Sequence, residues 1–107
     1  MNKNIEQLLT LVASASDKFM EIEKQISTTV GLLDQRSQAS NAITVDNIKL
    51  GQKLMFIILD AHPDVVGIGV GETGTEEFTF IAQYPLMEIS LNSLVELMQK
   101  HLGIVTE

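Results

Sequence analysis

The chain has 107 residues, a formal charge of −7 from 14 acidic and 7 basic side chains, 45% hydrophobic residues and no cysteine. This length fits one domain with a real core, and the apolar content excludes a disordered chain. The missing cysteines exclude disulfides, thiolate metal sites and cysteine nucleophiles. The acidic balance disfavours nucleic acid and anionic membranes and suits a protein partner with a basic surface.

No window of about 18 uncharged apolar residues occurs, so no membrane span is expected. The opening Met1, Asn2, Lys3, Asn4 lacks the layout of a signal peptide. The chain therefore reads as cytoplasmic.

Ile5, Leu8, Val12, Ala15, Phe19, Ile22, Ile26 and Leu33 recur at alternating steps of three and four, with Thr29 interrupting. This heptad seam predicts a long helix within residues 1–36, lying against another helix. Ser27, Thr28, Thr29 and Gly31 lower its intrinsic propensity, so it needs packing to persist. Ile5, Leu8, Val12, Phe19, Ile22, Ile26 and Leu33 are the candidate interface, through which two copies would dimerise. The seam is equally compatible with a helix covering its own domain.

Residues 37–45 begin with small polar side chains and read as a loop. Thr44 or Asp46 would then cap a second helix over residues 46–61. Its later part, Leu54 to Leu59, is apolar all round. The run fits a buried strand as well, but the capped start and the total length favour a buried helix. Pro63 would end it.

Residues 64–84 predict an antiparallel hairpin. Gly67 and Gly69 alternate with Val66, Ile68 and Val70, leaving one face bare of side chains for close packing. Residues 71–76 form the turn, and the returning strand would carry Phe78, Phe80, Ala82 and Tyr84 on one face. Ser90 or Asn92 caps a last helix over residues 90–102, with Gly103 as C-cap. The tail from Ile104 to Glu107 could add an edge strand. The fold class is α+β in the order α–α–β–β–α, with the first helix as spine. A two-stranded sheet is marginal alone, so dimerisation is expected.

Gly69, Gly71 and Gly74 match G-x-G-x-x-G in letters, but a strand, not a helix, follows them. Glu72, Glu76 and Glu77 would also repel phosphate. His62 and His101 read as residues at helix C-termini. Asp60, His62 and Asp64 read as a solvated turn, so no metal and no cofactor are expected. No serine sits in a nucleophile elbow, and no catalytic residue is assigned.

The stretch from Leu59 through Pro63, Val65–Val70 and Glu72 to Phe80 carries a resemblance. Residues 48–85 resemble the opening of Cache-type (PAS-like) sensor domains, and secondarily roadblock/longin-like modules. The first resemblance implies a long N-terminal helix, a second helix and then the first hairpin of a sheet. The alternative reading is a sensory or ligand-binding module related to the Cache or roadblock plan and using the hairpin face, on which Gly67, Gly69 and Tyr84 are the candidate ligand contacts; the resemblance itself supplies no ligand residue. The roadblock-like resemblance implies a dimerising scaffold. The reading favoured by the residues themselves is a non-enzymatic interaction protein: a small acidic adaptor, regulator or inhibitor, homodimeric through its first helix.

Overall fold

The heptad seam begins as a helix and then gives way. In a computed structural model describing residues 3–35, 40–75 and 77–103, helix α1 spans Lys3–Ile22. It buries Ile5, Leu8, Val12, Ala15 and Phe19 completely. Three-and-four spacing sets them on one stripe, where each large side chain contributes roughly 1.5–3 kcal/mol on burial. The stripe packs on the chain's own sheet and its C-terminal helix.

The expected continuation of α1 to residue 36 does not form. Ser27, Thr28 and Thr29 compete locally for backbone hydrogen bonds, and Val30 stiffens an extended chain. Ser16 hydrogen-bonds the Thr28 hydroxyl in the interior, folding the chain back on α1. Residues Thr29–Gln35 become strand β1. Of the late seam residues, Ile22 ends α1 half exposed, Ile26 is buried in the connection, and Leu33 lies on β1.

The expected helix over residues 46–61 is absent too. Strand β2 (Ser40–Asn47) and strand β3 (Gln52–Leu59) pair antiparallel across a loop at 48–51, where Gly51 adopts φ 69°. Residues 40–45 of the expected loop belong to β2, and residues 37–39 lie outside the described residues. The apolar run is a central strand buried on both faces. Leu54, Phe56 and Ile58 enter the main core, while Met55 and Ile57 enter a second cluster on the opposite face. Asp46 caps nothing; its carboxylate accepts the Thr73 hydroxyl hydrogen.

Strand β4 (His62–Glu72) and strand β5 (Thr79–Pro85) complete an antiparallel meander of order β1-β2-β3-β4-β5. A short 3-10 helix, Leu86–Glu88, leads to helix α2, Leu91–Leu102. Ser90 caps α2 reciprocally: the Ser93 amide donates to its hydroxyl at 3.2 Å, and the Ser90 amide donates to the Ser93 hydroxyl at 3.0 Å. The chain is therefore α+β with the order α–β5–α. It has neither the predicted α–α–β–β–α order nor a two-stranded sheet. The second helix implied ahead of the hairpin by the Cache-type resemblance is strand β3. The tail 104–107 lies outside the described residues.

Both helices lie on one face of the sheet and touch each other. Asn47 ties this layer to the sheet, its Nδ2 donating to the Leu102 carbonyl at 2.8 Å. This satisfies a carbonyl at the end of α2 that has no partner within its helix. At the other end, Asn4 Nδ2 donates to the Pro63 carbonyl at 2.7 Å. Among the described residues, no helix is long and apolar enough to cross a membrane.

Candidate functional site

With α1 and α2 on one side, the sheet's other face has no helix on it among the described residues. Strand alternation assigns its side chains. The register aligns Leu33 with Ala42, Ala42 with Ile57, and Ile57 with Gly67. Ala42, Met55 and Ile57 are buried with Phe78 packed against them. Around this patch, Leu33 is 43% exposed, Leu59 46% and Phe80 59%.

Gly67 and Gly69 make this surface possible. A Cβ at Gly69 would stand 2.7 Å from a Phe78 ring carbon, and one at Gly67 would stand 2.6 Å from Phe80. The rings lie over the bare backbone, and their centroids sit 5.2 Å apart at 72°, edge to face. The close packing expected over these glycines is thus supplied by the neighbouring strand. Beside Phe80 an apolar hollow of about 290 Å³ opens, lined by Ile57, Leu59, Val65 and Gly67, with His62 and Gln83 at its polar positions.

Tyr84 does not join Gly67 and Gly69. Ile68 pairs with Ala82, but the next residue of β4, Gly69, pairs with Phe80. Ile81 is the extra residue of a β-bulge, and it reverses the alternation along β5. Phe78 and Phe80 consequently lie on the helix-free face, while Ala82 packs on the main core. Tyr84 pairs with core Val66 and lines a groove against α2. The expectation that Phe78, Phe80, Ala82 and Tyr84 share one face fails at this bulge.

The seam residues proposed as an interface fare differently. Ile5, Leu8, Val12 and Phe19 have no exposed surface, and Ile26 has very little. Only Ile22 and Leu33 remain available, on different elements. Of the exposed large apolar side chains, Leu33, Leu59 and Phe80 lie on the helix-free face. Leu59 and Phe80 could have been picked out from the sequence as large side chains flanking a glycine-bearing strand.

Among the described residues, no three His, Asp or Glu side chains come together as metal ligands. His62 is exposed at the start of β4. His101, in the last turn of α2, has its pKa lowered from the ordinary 6.5, first by burial and then by the charge of Lys100. Lys53 is buried and donates from Nζ to the Thr75 carbonyl. That bond fastens β3 to the β4–β5 turn. No protein-family model matches the chain, and no curated protein or solved structure matches it either.

Proposed function

We propose that this chain is a non-enzymatic protein-interaction module, a small acidic adaptor or regulator. It works as a homodimer in which the helix-free faces of two sheets meet. One observation carries this reading: a sheet with helices on one side presents Leu33, Leu59 and Phe80 on the other, around a patch that is already apolar. An antiparallel sheet with helices on one side commonly turns a polar face to water on the other, so large apolar side chains on that face point to a covering layer. A second copy supplies the missing layer, giving the order helices, sheet, sheet, helices.

Size bears on the strength of such a dimer. Five strands about 4.8 Å apart and about seven residues long, at roughly 3.3 Å per residue, give a face on the order of 500 Å². Stable complexes use about 800 Å² per partner. The association is therefore expected to be reversible and concentration-dependent.

Light scattering over a wide concentration range tests this, with Phe80→Glu as the variant. Because Phe80 is more than half exposed, the variant should still fold and remain monomeric where the wild type dimerises, its lower melting temperature limited to the lost Phe78 contact and the lost dimer linkage. A wild-type monomer at every concentration, or an unaffected dimer in the variant, refutes the reading.

The hollow beside Phe80 favours a second reading, a sensory module for a small apolar ligand. Its volume of about 290 Å³ sits at the bottom of the usual range for such sites, roughly 300–1,000 Å³. The dimer therefore ranks first.

A further inference from the structure

The helix side of β5 carries a separate feature. β5 is an edge strand, so alternate amides and carbonyls along it point away from the sheet. Directly beside it, between β5 and α2, runs a groove of about 280 Å³. Tyr84, Ile89 and Leu97 give it apolar walls, and Glu88 and Glu96 give it two carboxylates. Lys100 lies at the same groove on the last turn of α2.

We propose that the β5 edge and this groove together bind an extended basic–apolar segment of a partner protein, added to the sheet as a sixth strand. Three features select this occupant. Among the described residues no strand pairs with the outer edge of β5, and its main-chain hydrogen bonds can be matched in series only by an extended chain. Side chains of an added strand alternate between faces, so every second one enters the groove against Tyr84 and Leu97. Two acids to one base in the groove, on a chain of net charge −7, favour lysine or arginine beside the apolar anchors.

The Ile81 bulge limits the template. Strand pairing beyond Ala82 is out of step with that before Phe80, and Pro85 offers no amide hydrogen. The edge therefore accepts a short segment and resists the long, flat stacking that leads to aggregation. The inference rests on the reading of the chain as an interaction module and is independent of its dimer. Groove and dimer face lie on opposite sides of the sheet.

The probe is a blocked hexapeptide of sequence Val-Thr-Lys-Thr-Val-Thr, whose alternate side chains bring valine and lysine together on one face, titrated into the full chain and followed by backbone amide shifts. Shifts are expected at residues 79–84 and along the groove-facing side of α2, with slowed hydrogen exchange on β5. Glu96→Lys should weaken binding at least tenfold, and Glu88→Gln less. The same peptide with alternate amides N-methylated should not bind, because it cannot form the ladder. Three results overturn the proposal: equal binding of the N-methylated peptide, shifts scattered over the acidic surface without β5, or full affinity in Glu96→Lys. Light scattering reads the dimer separately, so failure of one proposal leaves the other intact.

Discussion

Replacing Asn47 by alanine removes the side chain that joins the sheet to the end of α2. Asn47 is 1% exposed. It gives one hydrogen bond to the Leu102 carbonyl at 2.8 Å and accepts one from the Leu50 amide at 3.3 Å. Leu50 is partly exposed and can turn to water, but Leu102 is fully buried. An unsatisfied buried carbonyl costs about 1–3 kcal/mol, and the space left by the carboxamide adds about 1 kcal/mol. The expected loss of about 2–4 kcal/mol is a large share of the roughly 5–15 kcal/mol that holds a domain together. For a domain of this size it corresponds to a melting temperature lower by roughly 10–25 °C. Urea and thermal unfolding followed by circular dichroism measure it, with an unchanged m-value showing that the folded state keeps its extent. Asn47→Asp keeps the shape but places a carboxylate against the Leu102 carbonyl. Burial raises that carboxyl's folded-state pKa above about 3.9. Its deficit is therefore full at neutral pH and fades as pH falls through the raised value. A loss below about 0.5 kcal/mol in Asn47→Ala would mean that the bond to Leu102 does not hold α2 in place.

Other perturbations separate packing, electrostatics and assembly. Alanine at Gly71 meets the Glu77 backbone carbonyl, at Gly69 the packed Phe78 ring, and at Gly67 the exposed Phe80 ring. Stability losses measured in urea should fall in that order, from above about 2 kcal/mol to under about 1 kcal/mol, because only Phe80 can swing into solvent. Since His101 has a lowered folded-state pKa, the unfolded chain takes up its proton first. This group's contribution to stability is whole above pH 6.5 and is lost as pH falls through 6.5 towards the lowered value. His101→Gln should flatten that slope in unfolding experiments. Lys100→Gln, which removes the lesser cause, should return the NMR titration of His101 only part of the way. Phe19→Glu places a charge among fully buried side chains and should unfold the domain, by 3 kcal/mol or more on the order of measured core losses. A folded monomer from that substitution would instead place the heptad seam at a subunit interface.

Local signals were legible where one pattern had one physical meaning. The glycine-bearing strand and its partner form β4 and β5, and the serine cap with apolar spacing marks α2. The errors fell where a pattern served two structures. Ile22, Ile26 and Leu33 keep heptad spacing by coincidence, because hydroxyl and β-branched residues after Gln25 turn the chain into β1. Leu54 to Leu59 is apolar on every side because helices cover one face of β3 and the aromatic patch covers the other. A helix buried all round has the same letters. The Ile81 bulge has no single-residue signature, and it alone moved Tyr84 away from Gly67 and Gly69. Of the seam, Ile5, Leu8, Val12, Phe19 and Ile26 are buried while Ile22 and Leu33 are exposed; what the buried ones pack against is decided by contacts distant in sequence.

The sheet's cover is drawn from two distant stretches of sequence, α1 before the first strand and α2 after the last. Each strand pairs with its immediate successor, so the meander can zip up from short-range contacts in the order of translation. By residue 85 all five described strands have been made, yet the main core still lacks Leu94, Val95, Met98 and Leu102. A nascent chain at this stage would expose the apolar face that α2 later closes, the kind of surface that recruits chaperones. The Asn47–Leu102 bond then acts as a latch that can be set only at the end of synthesis of the described core.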